Sequence, residues 1–110
     1  MVSPSAGSVV LVKFPFSDLS SAKLRPAIVL AASGRDDWIL CQVTSNPYSD
    51  PNAIRITDDD FMSGSLQHVS FARPSKLFTA NGFIIHAEVG RLVPNSLDKV
   101  RRAVTDLLHQ

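Results

Sequence analysis

Residues 25–45 read RPAIVLAASGRDDWILCQVTS, and the reading of this stretch decides the fold. Two apolar runs rich in strand-forming residues, RPAIVLAA and DWILCQVTS, flank SGRD, whose glycine and polar residues carry turn chemistry. The stretch is therefore a β-hairpin, and a two-residue Gly34-Arg35 turn suits the type II′ geometry, with glycine first. With that turn, cross-strand partners have numbers summing to 69. Leu30 then lies opposite Ile39, Ile28 opposite Cys41, Pro26 opposite Val43 and Arg25 opposite Thr44. Pro26 falls at a non-hydrogen-bonded site, where its missing N–H costs the partner strand nothing. One face (Pro26, Ile28, Leu30, Ile39, Cys41, Val43) is wholly apolar and is the core side. The other (Arg25, Ala27, Val29, Leu40, Gln42, Thr44) is aliphatic in the middle and polar at one end, a pocket wall or partner surface.

Outward from the hairpin, Val9–Phe14 reads as a preceding strand, joined to it by PFSDLSSAK, a loop long enough in so small a chain to suggest function. Further short strands are expected at Ala53–Thr57, Leu66–Phe71, Lys76–Thr79 and Phe83–Leu92. TDDDF reads as a capped helical turn starting at Thr57. The tail PNSLDKVRRAVTDLLHQ changes period: Leu97, Val100, Val104, Leu107 and Leu108 recur at helical spacing, with Arg101, Arg102, Thr105 and Asp106 off that face. Asn95 is the expected cap, Asp98 suits the first turn, and Pro94 keeps the chain extended before the helix. Many short strands and one terminal helix make a mainly β fold, an SH3-like barrel with a C-terminal α-helix, as a single domain over 1–110.

The bulk numbers agree. A chain of 110 residues, 45% hydrophobic, can bury a core without metal or disulfide staples. Its net charge of +1 excludes a broad basic field for duplex DNA, so any nucleic-acid role rests on a few placed cations. A single cysteine, Cys41, has no internal disulfide partner and sits in apolar WILCQV, which reads as an inert buried thiol in a reducing compartment. The N-terminal stretch has neither a basic start nor a long apolar run, so no signal peptide or membrane span is expected, and the location expected is cytoplasmic.

An arginine beside a threonine hydroxyl at the end of a two-stranded ribbon suits a phosphate. The guanidinium fork offers two parallel donors and stays charged, and the hydroxyl adds a third. Spacing alone leaves open the plainer reading, an arginine paired with a nearby carboxylate beside a threonine of ordinary β-propensity. Asp58, Asp59 and Asp60 invite a metal, but consecutive acids diverge in direction, and no metal is expected. Phe14, Phe16 and Trp38 have the surface to stack on bases, or to pack in a core or dimer interface.

Taken in order, VVLVKFPFSDLSSAKLRPAIVLAA, DWILCQVTS, TDDDFMSGSL, SFARPSKLFT and VGRLVPNSLDKVRRAVTDLL resemble the PemK/MazF toxins of type II toxin-antitoxin systems over nearly the whole chain. The resemblance implies a homodimeric SH3-like barrel that cuts single-stranded RNA as an endoribonuclease without metal or other cofactor, restrained by a cognate antitoxin. The family's RP-motif arginine matches Arg25. Its Thr/Ser after the third strand matches Thr44, with Ser45 adjacent. Where many members carry an acid or histidine before RP, this loop offers Phe16, Ser17, Asp18 and Ser20, with Ser20 at the acidic position. HVSFARPSK places Ser70 and Ala72 where some members carry Arg and Asp.

Cleavage of this kind uses the ribose 2′-hydroxyl as nucleophile and leaves a cyclic phosphate and a 5′-hydroxyl. Arg25 is expected to stabilise phosphoryl charge and Thr44 to position a phosphoryl oxygen. The base is expected to be Asp18 or His68; the dull alternatives are a turn residue and a surface histidine. Ser17, Ser20, Ser45, Arg73 and Phe16 are candidate RNA contacts, with an ordinary ion pair as the equal alternative for Arg73. His86 and His109 read as structural or exposed. The competing functions are an inactive barrel that binds RNA or antitoxin, and a non-nuclease toxin directed at a protein target such as DNA gyrase.

Overall fold

The computed structural model describes the backbone of residues 3–15 and 22–110, and the side chains of 3–13 and 23–110. Among these, seven strands form one antiparallel sheet: β1 (Ser8–Pro15), β2 (Ala22–Gly34), β3 (Asp37–Thr44), β4 (Ile54–Ile56), β5 (Phe61–Gly64), β6 (Ser70–Asn81) and β7 (Ile85–Leu92). Their spatial order is β4-β6-β3-β2-β1-β7-β5, and one helix, α1 (Pro94–Leu108), follows. Ile54 and Ile56 from one end of the sheet and Phe61 from the other pack on the same cluster, with Val9, Ile28, Leu30, Cys41 and Val43. The sheet therefore curls until its two ends share a core, and Leu97 and Val100 of α1 close it. Fully burying one such side chain contributes roughly 1.5–3 kcal/mol. No helix among the described residues is long and apolar enough to cross a membrane.

The hairpin has the expected register only near its middle. Ala27–Gln42, Ile28–Cys41 and Val29–Leu40 pair as read, but a bulge follows, so that Ala31 meets Ile39 and Leu30 has no partner in β3. A second irregularity lies between Ala32 and Gly34, and the turn residues are Arg35 and Asp36, both left-handed at φ 52° and 62°. This is type I′ rather than type II′ geometry, whose twist matches the flanking strands. Its cost at two non-glycine residues is offset by contacts to Asp36: its carboxylate accepts the Trp38 indole N–H at 3.0 Å, and its carbonyl accepts the Gly82 N–H at 2.8 Å. At the other end the β2–β3 ladder stops at Ala27–Gln42, beside Pro26, which has no N–H to give. The pairs Pro26–Val43 and Arg25–Thr44 do not form; Arg25 pairs with Val12 of β1 and Thr44 with Phe71 of β6.

The face read as a pocket wall is a second core in its middle. Ala27, Val29 and Leu40 have no exposure and pack with Val10, Val12, Ala80 and Ile85. Sequence alternation in one hairpin shows two apolar faces without showing that neighbouring strands cover both. The segments read as strands at Leu66–Phe71 and Lys76–Thr79 are not separate: β6 begins at Ser70 and runs through Pro74 to Asn81. A bulge opposite Cys41–Val43 accommodates the proline. The short β5 follows the Asp58–Asp60 turn, where Thr57 donates its N–H to the Asp60 carboxylate at 2.7 Å. Gly64 ends it in left-handed geometry at φ 66°, and a Cβ there would collide with the Val89 carbonyl, so glycine permits the close approach of β5 to β7.

The helix begins two residues earlier than an Asn95 cap would start it. Val93 is the N-cap and Pro94 the first helical residue, a position where a missing N–H is harmless. Leu97 and Val100 are buried, Val104 and Leu107 are half-buried, and Leu108 is 74% exposed, so the apolar face ends at Leu107. Arg101, off that face by periodicity, reaches the bulge: its Nε and Nη2 donate to the Leu30 carbonyl at 3.0 and 2.6 Å.

Candidate functional site

Where the β2–β3 ladder stops, a cleft of about 160 Å³ opens between the strand ends and the segment leading into β6. It is lined by Arg25 and Pro26 from β2, Val43, Thr44 and Ser45 at the end of β3, and Leu66, Gln67, His68 and Ser70. Arg25 is half-buried, with its Nε out of contact with solvent. The low local dielectric strengthens what a guanidinium gives an anion. Thr44 Oγ1 accepts the Asn46 N–H at 3.2 Å and donates to the Asn46 carbonyl at 3.0 Å, which fixes the hydroxyl at the mouth of the β3–β4 loop.

That loop is pinned at both ends. Asn46 Oδ1 accepts the Tyr48 N–H at 3.0 Å, and Tyr48 and Ser49 are left-handed. Beyond them, Asp50 Oδ2 accepts from Arg73 Nε at 2.9 Å, and Asp50 Oδ1 accepts the Asn52 N–H at 2.9 Å. The Arg73 hydrogen bond, with that of Asn52, holds the Asp50 carboxyl below the usual carboxylate range. Arg73 therefore makes the ion pair left open in the sequence. Under it lies Cys41, fully buried, its thiol pushed up to about 12 chiefly by burial, so it is no nucleophile at neutral pH.

The cleft brings together Arg25, Thr44, Ser45 and His68. Arg73 does not line it. Phe16, Ser17, Asp18 and Ser20 lie outside the described residues. Trp38 packs against the second core. Among the described residues, no group of three His, Cys, Asp or Glu side chains is placed to hold a metal ion. Gln67 and Ser70 also line the cleft, and nothing in the sequence alone singles them out for it. Ser70 is buried and donates its hydroxyl to the His68 carbonyl at 2.9 Å, fixing the segment that carries His68. Both reach the cleft because Ser70 pairs with Ile56 of β4, a long-range pairing that no local pattern signals.

The sequence over residues 5–108 matches the model of one family, described as PemK-like, MazF-like toxin of type II toxin-antitoxin system. No curated protein matches significantly. Among solved structures, a MazE-MazF structure from Deinococcus radiodurans aligns over 100% of this chain and 99% of its own, with a TM-score of 0.76 and 19% identity. An endoribonuclease in complex with its cognate antitoxin, from a mycobacterial species, aligns over 99% and 96%, with a TM-score of 0.72 and 13% identity. The Mycobacterium tuberculosis toxin MazF-mt6 aligns over 93% and 96%, with a TM-score of 0.71 and 10% identity. At these identities the likeness establishes a shared fold.

Proposed function

Because the chain belongs to the PemK-like, MazF-like toxins of type II toxin-antitoxin systems, we propose that it is an endoribonuclease toxin that cuts single-stranded RNA in the Arg25–Thr44 cleft without a metal. The observation that carries this reading is the convergence of Arg25, Thr44 and His68 on one cleft. The scissile phosphate sits against the Arg25 guanidinium, which stabilises the charge gained by the phosphoryl oxygens as the 2′-oxygen attacks. The Thr44 hydroxyl turns its hydrogen from the Asn46 carbonyl to a phosphoryl oxygen, while the Asn46 N–H keeps hold of Oγ1. The 2′-oxygen bonds to phosphorus and the bond to the 5′-oxygen breaks, giving a 2′,3′-cyclic phosphate and a 5′-hydroxyl. His68, which joins Arg25 in the cleft, takes the 2′ proton. The 5′-oxygen recovers a proton from the same imidazole or from water.

One solved neighbour is an endoribonuclease in complex with its cognate antitoxin and another is a MazE-MazF structure, which supports a cognate antitoxin as the partner here. An acidic, apolar segment of such a protein, disordered when free, would fill the cleft and exclude RNA. The test is incubation of purified protein with a mixed single-stranded RNA in excess EDTA. Discrete fragments with 5′-hydroxyl ends are expected, formed on the order of 10²- to 10³-fold more slowly by Arg25→Ala. Intact RNA from folded wild-type protein would reject the nuclease reading. Retained RNA binding would then point to an inactive barrel, and its loss to a protein target.

A further inference from the structure

A larger groove, about 350 Å³, adjoins the cleft and shares Leu66, Gln67 and His68 with it. Resting on the reading of the cleft as an RNA site, we infer that this groove receives the nucleobase next to the scissile phosphate and selects a base bearing an exocyclic amino group (adenine, cytosine or guanine) over uracil. Its size falls within the roughly 300–1,000 Å³ of small-ligand sites. Phe61, Leu66 and Val69 supply apolar wall for the face of a ring. Its ionic groups favour a base over backbone: Asp58 and Asp59 outnumber the one guanidinium, Arg55, so a phosphate is repelled.

The same carboxylates supply selectivity. Asp60 is engaged by Thr57 and by Ser96, whose hydroxyl donates to Asp60 Oδ1 at 2.7 Å. Asp58 and Asp59 are exposed and make no side-chain hydrogen bond or ion pair among the described residues, and neither does the amide of Gln67. Free acceptors facing a groove favour amino hydrogens: a carboxylate accepts from cytosine N4 or from guanine N1–H and N2, and a glutamine pairs with the N6/N7 edge of adenine. Uracil has no amino group, and the carbonyl oxygens on either side of its single ring N–H are repelled by carboxylates. Because Gln67 and His68 line both spaces, a strand with its phosphate in the cleft has its adjacent base at the groove without a detour.

The test uses short single-stranded oligonucleotides with a 2′-deoxy sugar at the scissile step, so that binding is read apart from cleavage. At each position near that step the base is adenine, cytosine, guanine, uracil or absent. At one position, the amino-bearing bases are expected to bind roughly tenfold more tightly than uracil or no base. Asp59→Asn combined with Gln67→Ala should erase that difference, and Val69→Trp should fill the groove and do the same. All three positions are exposed, so folding is checked by urea midpoint. Tight binding with a preference that these variants leave unchanged, or with none at any position, overturns the inference while leaving the nuclease reading intact. No RNA binding by folded wild-type protein overturns both.

Discussion

Asp50 shows how one charge can hold the loop beside the cleft. Its carboxyl is held below the usual range by Arg73, so this contact contributes stability above the unfolded carboxylate value of about 3.9 and loses it as pH falls through the lower folded value. Asp50→Asn should therefore lower the urea midpoint at pH 7, and the gap to wild type should close as pH drops below about 4. An equal gap at pH 7 and pH 3 would show that the ion pair contributes nothing. The sequence places Arg25 and Thr44 at one end of the hairpin because the register is right at Ala27–Gln42, but the two do not pair and meet only as walls of the cleft. The loop tether was not legible, since Asp50 and Arg73 are 23 residues apart and each looks like an ordinary surface charge.

At the scale of elements, the bulge in β2 and the helix explain each other. The bulge leaves Leu30 without a β3 partner, and Arg101 of α1 supplies two donors to its carbonyl. Arg101→Met keeps the stem and removes the donors, and should cost about 1–3 kcal/mol in denaturant unfolding. An unchanged midpoint would mean that water replaces the guanidinium at no cost. The helical period was readable from Leu97 and Val100; the purpose of Arg101 was not, because a bulge is a property of two strands and their turn together. The turn moved by one residue for a similar reason: Asp36 is held left-handed by Trp38 and Gly82, and Gly82 is 46 residues distant.

For the whole molecule, family membership leads us to expect a symmetric dimer with the RNA path crossing its seam. Sedimentation at micromolar concentration should give twice the 12.0 kDa chain mass, and a monomer alone would reject that assembly. With a net charge of +1, recognition cannot rest on bulk attraction. In the proposed function it depends on the half-buried Arg25 guanidinium in the cleft.

The alternation of RPAIVLAA and DWILCQVTS, with the period change at the tail, was enough to specify a mainly β chain with a terminal helix, because which faces are apolar is written residue by residue. The same alternation put Arg25 and Thr44 at one end of one ribbon. The curl of the sheet, its second core and the walls of the cleft were decided by tertiary structure. Each depends on pairings such as Ile56–Ser70 and Thr44–Phe71, whose partners are far apart in the chain and carry no local pattern that marks them for each other.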